Sequence, residues 1–211
     1  SQFTDNLVLE TLAINPAQAS RKHDELLGLG SPTRTIEGVD VANIAGSTNS
    51  SLPNVEDTEY RYPFLMLQRG MSVDSGGAGK YRGGLAGEMM AKLHDAATAD
   101  CSLGYIGKNF EADGLAGGKG GARSLVKIKR NTNVNALLGK AAPDFEDIDG
   151  EEFVFPPQNP PFTLSPDDVL FMRCQGGGGV GDPRERDRAR VEADLREGYI
   201  SAAAAKHEYG L

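Results

Sequence analysis

Three glycine-rich stretches constrain this chain more than any other feature. They are Asp74-Ser75-Gly76-Gly77-Ala78-Gly79-Lys80-Tyr81-Arg82-Gly83-Gly84, then Gly114-Leu115-Ala116-Gly117-Gly118-Lys119-Gly120-Gly121-Ala122, then Gly176-Gly177-Gly178-Gly179-Val180-Gly181. Glycine has no Cβ, so it weakens regular elements and marks turns or close backbone approach. The chain carries 27 glycines in 211 residues, roughly twice the usual 7 per cent. They follow no three-residue period, which excludes collagen.

Each stretch has a chemical reading and a plain one. In the first, backbone amides with Lys80 and Arg82 would cradle an anion. It is not a Walker A loop, because Asp74 stands where the first glycine belongs and Tyr81 where Ser or Thr must follow the lysine. The default is a tight turn with positive-φ glycines. The second stretch offers the single cation Lys119, and a chain reversal is its default. The third satisfies GxGxxG formally, but Asp182-Pro183 follows in place of a helix and too little chain remains for a Rossmann unit. Close backbone approach, within the fold or against a partner, is the reading kept for it. The structural set is therefore Gly76, Gly77, Gly79, Gly83, Gly84, Gly117, Gly118, Gly176, Gly177, Gly178, Gly179 and Gly181. Lys80, Arg82, Lys119 and Asp182 are the candidates for anion or interface contacts.

The length suits one large domain or two small ones. A net charge of −8 argues against nucleic acid, which calls for a basic face. No uncharged apolar run reaches membrane-spanning length, and Ser1–Glu10 lacks the basic start of a signal peptide. Cys101 and Cys174 lie in apolar, strand-like contexts and read as buried cytosolic thiols more readily than as a disulfide. The expected location is the cytoplasm.

Composition divides the chain into residues 1–59, 60–182 and 183–211. The first part is an extended, partner-wrapping segment with a helix expected over 16–27, Pro16 at its first position and Gly28 as its stop, and a polar linker at Gly46–Ser51. The second reads as short strands at Phe64–Leu67, Leu85–Leu93, Cys101–Ile106 and Leu125–Lys129, the last half-exposed because apolar and basic residues alternate. Residues 131–168 are rich in proline and acids and read as loop, followed by a turn feeding a strand that ends at Met172. The third part holds two helices: one capped by Asp187 and ended by Gly198, the other capped by Ser201. The fold class is α+β, a β-rich body closed by two short C-terminal helices.

Other titratable candidates are weak. His94 and Asp95 are neighbours in a strand-like run and need not pair. The run Asp144, Glu146, Asp147, Asp149, Glu151, Glu152 is a solvated acidic loop without calcium-loop spacing. There is no CxxC and no GxSxG.

Taken in order, the three glycine stretches, then Gly198-Tyr199-Ile200-Ser201 and Tyr209-Gly210, resemble the C-terminal part of the hydantoinase B/oxoprolinase family over about Tyr60 to Leu211. The resemblance implies a subunit of a multi-chain ATP-dependent enzyme, paired with a hydantoinase A-type subunit of actin-like fold. In that scheme ATP phosphorylates a carbonyl or enolate oxygen, and the activated species is carboxylated or hydrolysed. A divalent metal is held by His and Asp in the N-terminal part of the B-type subunit, which has no counterpart here. ATP and metal are thus expected on partner chains, and no catalytic or metal-binding residue is carried over to this one. A split subunit and a fragment of a larger one both fit.

Phe64–Met71 resembles the ketone carboxylase branch more than the cyclic-amide hydrolases, which stand as the alternative substrate class. The alternative from another class is a non-catalytic assembly or binding module. By the resemblance, the chain alone is inactive and acts on a ketone or cyclic amide only within the complex.

Overall fold

The computed structural model describes residues 7–8, 54–102, 111–139, 143–156 and 160–211. The helix expected over 16–27 and the linker at Gly46–Ser51 lie outside them, as do residues 103–106 of the third expected strand.

In chain order the elements are β1 (Leu7–Val8), α1 (Val55–Arg61), β2 (Phe64–Met71), β3 (Gly87–Leu93), β4 (Ala99–Ser102) and β5 (Leu125–Arg130). Then follow α2 (Val134–Leu137), a 3-10 turn at Phe145–Asp147, β6 (Glu151–Val154), β7 (Phe162–Leu164) and β8 (Val169–Arg173). A second 3-10 turn at Pro183–Glu185, α3 (Arg188–Arg196) and α4 (Ala202–His207) complete the set. This is the α+β body with two C-terminal helices that the sequence leads one to expect.

Five strands form an antiparallel sheet in the order β2-β3-β8-β5-β6, and β1-β4-β7 form a smaller one. In the smaller sheet β1 runs parallel to β4, with Leu7 opposite Cys101. Side chains alternate across the large sheet. Met89, Ala91, Leu93, Val126, Ile128, Leu170 and Met172 enter one core with Cys101 and Leu164 of the smaller sheet. Met90 and Val169 enter a second core on the other face, under Val134, Phe145 and Ile148. Burial on both faces explains why Gly87–Leu93 and Val169–Met172 read as nearly continuous apolar runs. Each fully buried Leu or Met contributes roughly 1.5–3 kcal/mol of transfer free energy. Cys101 and Cys174 are both buried thiols of the first core.

Two expectations are corrected. The stretch 131–168 is not simply loop: β6 and β7 lie within it. β6 forms because its acids meet the basic strand β5, with Lys129 opposite Glu152 and Arg130 opposite Glu151. β5 is not half-exposed either. Val126 and Ile128 enter the first core, and Lys129 is buried because the 3-10 turn closes over the basic face. A short helix the sequence does not announce, Val55–Arg61, crosses the boundary between residues 59 and 60. Asn54 caps it by accepting from the Glu56 amide, and Arg61 pairs with Asp57 one turn back.

Candidate functional site

The antiparallel register gathers the glycine stretches. Met71 lies opposite Gly87, Glu88 opposite Arg173, and Arg173 opposite Leu125. The end of β2, the start of β3, the end of β8 and the start of β5 therefore share one end of the sheet. Stretches separated by about thirty to ninety residues of sequence emerge there side by side.

They bond to one another through their backbones. The third stretch lies between the other two. The Gly177 amide donates to the Gly84 carbonyl at 2.9 Å, and the Gly77 amide donates to the Gly177 carbonyl at 2.8 Å. On the other side, the Gly179 amide donates to the Lys119 carbonyl and the Leu115 amide to the Gly179 carbonyl, both at 2.9 Å. Tyr81 and Val180 exchange two bonds of 2.9 Å. The first and second stretches are joined by Lys119 to Ala78 at 2.7 Å and Ala122 to Ser75 at 2.8 Å, amide to carbonyl in each case.

The spacing leaves no room for side chains. A Cβ at Gly176 would strike the Ser75 carbonyl, one at Gly83 the Gly177 carbonyl, one at Gly77 that of Lys119, and one at Gly118 that of Gly179. Backbone, rather than a flexible side chain, stands in the way at every one of these positions. Gly76, Gly77, Gly79, Gly83 and Gly84 are not among the positive-φ residues. The turn geometry first supposed for the first stretch is therefore not what requires glycine there. Close approach is. Positive φ does occur at Gly117 and Gly181, where the second and third stretches bend.

The lattice is bonded to itself. The amides of Gly77, Gly83, Lys119, Gly121, Gly177, Gly179 and Gly181 all point at carbonyls, so they do not fit a nucleotide phosphate. Among the described residues no three His, Cys, Asp or Glu converge as metal ligands. Those residues therefore do not fit the metal or the nucleotide that the family resemblance implies, and no chemical step is derived through either.

The four charged candidates do not meet at one point. Arg82 is buried, with Nε 3.2 Å from the Asp194 carboxylate of α3 and a terminal nitrogen on the Gly83 carbonyl at 2.8 Å. Arg186 reaches the same carboxylate oxygen at 2.7 Å. Tyr199 and Tyr209 lie against the two guanidinium groups. Lys80 pairs at the surface with Glu185 at 3.2 Å. Asp182 caps the 3-10 turn by accepting from the Arg184 amide at 2.9 Å. Lys119 binds the lattice through its main chain while its side chain is exposed.

Asp74 ties the lattice to the C-terminal helices. Its φ is 59°, its amide donates to the Tyr199 carbonyl at 3.1 Å, and its carboxylate accepts from the Ser201 amide at 2.8 Å. Ala78 then enters a third core with Val191, Ile200, Ala205 and Tyr209.

Two buried lysines escaped the sequence reading. Lys129 donates to the carbonyls of Phe145 and Ile148 at 2.7 and 2.8 Å, capping the 3-10 turn. Lys92 donates to the Leu93 carbonyl at 3.0 Å, and burial pulls its pKa down against the opposing attraction of Asp167. Burial alone would lower the Lys127 pKa, but Glu152 and Glu146 outweigh it and hold the amine above its ordinary value. His94 and Asp95 do touch, at 3.5 Å, because a φ of 56° at Asp95 takes the chain out of the strand.

The profile of the Hydantoinase B/oxoprolinase family matches residues 6–183. The chain is 33% identical over 159 residues to caprolactamase subunit beta of Pseudomonas jessenii, covering 75% of this chain and 25% of that protein. It is 26% identical over 196 residues to the acetone carboxylase alpha subunit of Xanthobacter autotrophicus, covering 85% of this chain and 25% of that one. The nucleotide-free structure of acetone carboxylase superimposes with a TM-score of 0.66 at 23% identity, over 83% of this chain and 25% of that chain. The chain thus spans about a quarter of the length of these relatives. Among the described residues no helix is long and apolar enough to cross a membrane.

Proposed function

The chain belongs to the hydantoinase B/oxoprolinase family, and on that premise we propose that it supplies part of a hydantoinase B-type subunit in a multi-chain, ATP-dependent enzyme acting on carbonyl compounds. The observation that carries the reading is the family match over residues 6–183 together with the 33% identity to a caprolactamase subunit. The reaction activates a carbonyl or enolate oxygen with ATP. ATP and the divalent metal sit on companion chains. This chain contributes rigidity: a self-bonded glycine lattice clamped by the Arg82–Asp194–Arg186 cluster. Lys80, Lys119 and Asp182 face a companion subunit.

Cyclic-amide hydrolysis is the first substrate class to try, because the caprolactamase subunit has the higher identity. Ketone carboxylation is the second. It is favoured by the resemblance of Phe64–Met71 to that branch and by the longer match to the acetone carboxylase subunit.

The test is native purification from the source with mass spectrometry of bound chains. Assays of caprolactam hydrolysis and of acetone carboxylation, each with ATP, follow on whatever complex is recovered. Recovery with an ATP-binding subunit and ATP-dependent turnover of either substrate is expected. A lone folded chain, with neither companion nor turnover, would leave a non-catalytic binding module in place of an enzyme subunit.

A further inference from the structure

The large sheet ends at β6, and among the described residues nothing pairs with its outer edge. An open edge presents unpaired amides and carbonyls in a row, and proteins normally cover or charge it. Here it carries Phe153 and Val154, 49% and 57% exposed. Beside it is a cleft of about 270 Å³, walled by Ile128, Arg130, Phe153, Phe155, Pro160 and Phe162. The Phe155 and Phe162 rings, 4.8 Å apart, hold its floor. Apolar side chains on an unpaired edge beside an apolar cleft form a docking surface for an extended segment.

Charge narrows the occupant. Glu151 begins the edge, and Asp144, Glu146, Asp147 and Asp149 precede it in the sequence. Lys127 engages Glu146 and Glu152, and Arg130 is turned onto Asp168. Among the described residues Glu151 makes no ion pair. A complementary strand is basic where it passes Glu151 and apolar where it passes Phe153 and Val154. The curated relatives are about three times the length of this chain, so a large complement of polypeptide belongs beside it.

We propose that the outer edge of β6 receives a strand from the polypeptide carrying the rest of the hydantoinase B-type subunit, its apolar side chains seated in the adjoining cleft. This rests on the function proposed above. The test compares amide hydrogen exchange in this chain alone and bound to that polypeptide, with affinity measured for the Phe153→Lys and Val154→Lys variants. Exchange of the amides of residues 151–154 slows by about tenfold or more on binding, and the double variant binds about tenfold more weakly. Val154→Lys alone, at the more exposed position, serves if the double variant shows an altered urea midpoint.

A complex that forms with exchange at 151–154 unchanged overturns the docking site and leaves the proposed function standing. Failure to form any complex overturns both. Protection that grows with the concentration of this chain alone makes a second copy the occupant and overturns the assignment.

Discussion

Arg82 Nε stands 3.2 Å from Asp194 Oδ2, joining the first glycine stretch to the C-terminal helix α3 across 112 residues of sequence. The same oxygen receives Arg186, so one carboxylate holds two buried guanidinium groups. Removing one member of a buried charge cluster strands the others in a medium that solvates them poorly. Asp194→Asn should cost about 3 kcal/mol or more, read as a lower urea midpoint at neutral pH. A midpoint unchanged by the substitution would show that water reaches the cluster.

The glycine lattice makes a graded prediction. Gly83→Ala and Gly176→Ala place a methyl group on backbone carbonyls that cannot step aside. Either should destabilise by about 3 kcal/mol or more, at or beyond the usual range for overpacking. Gly70→Ala, where nothing lies within 4 Å, should be neutral or stabilising by up to about 1 kcal/mol. Thermal unfolding of the three variants separates close approach from a general aversion to alanine.

Lys92 gives a pH dependence of definite sign. Burial lowers its folded pKa from the ordinary 10.5, so the unfolded chain holds the extra proton between the two values. Stability contributed by this site therefore rises with pH through that window and is lowest below it. Lys92→Met should stabilise the chain at pH 7, on the order of 1 kcal/mol. The gain should shrink as the pH approaches 10.5. Urea titrations of both proteins at several pH values check it.

Cys101 behaves oppositely. Burial first, then the Asp100 charge, raises its thiol from 9.0 to about 11. Its contribution is complete below pH 9 and is lost as pH rises through 11. At pH 8 the folded thiolate is about a hundredfold scarcer than the unfolded one. Alkylation followed by peptide mass spectrometry should show Cys101 labelling at least that much more slowly in buffer than in urea. Equal rates would place Cys101 at the surface.

The parts of the fold visible in the sequence are those whose signal is local. Met89 to Leu93 and Val169 to Met172 are apolar runs that only a strand buried on both faces explains. Asp187, Gly198 and Ser201 punctuate α3 and α4 with side chains that bond within a few residues. β6 was hidden because Glu151 and Glu152 show no apolar alternation, and their partners on β5 lie more than twenty positions away. α1 was hidden because Thr58 is its one buried residue. Lys129 reads as surface until Phe145 and Ile148 close over it. The lattice is the sharpest case. Glycine content is plain in the sequence, but the bond from Gly177 to Gly84 is set by sheet register, which no local pattern records.

That register also governs when the lattice can exist. Its bonds join residues 75–84, 114–122 and 176–181, so the loops it closes run from about forty residues, between Ala78 and Lys119, to about a hundred, between Tyr81 and Val180. On a ribosome, β2 and β3 can pair early and the second stretch can join the first at Ser75 and Ala78, yet Tyr81 and Gly84 lack their lattice partners until the third stretch has left the exit tunnel. Until then a flexible, side-chain-poor segment hangs from the end of a growing sheet. The contacts of Asp194 with Arg82, Ser201 with Asp74 and Tyr209 with the core around Ala78 become possible only after the third stretch has emerged, so the C-terminal helices close over a lattice whose strands are already made.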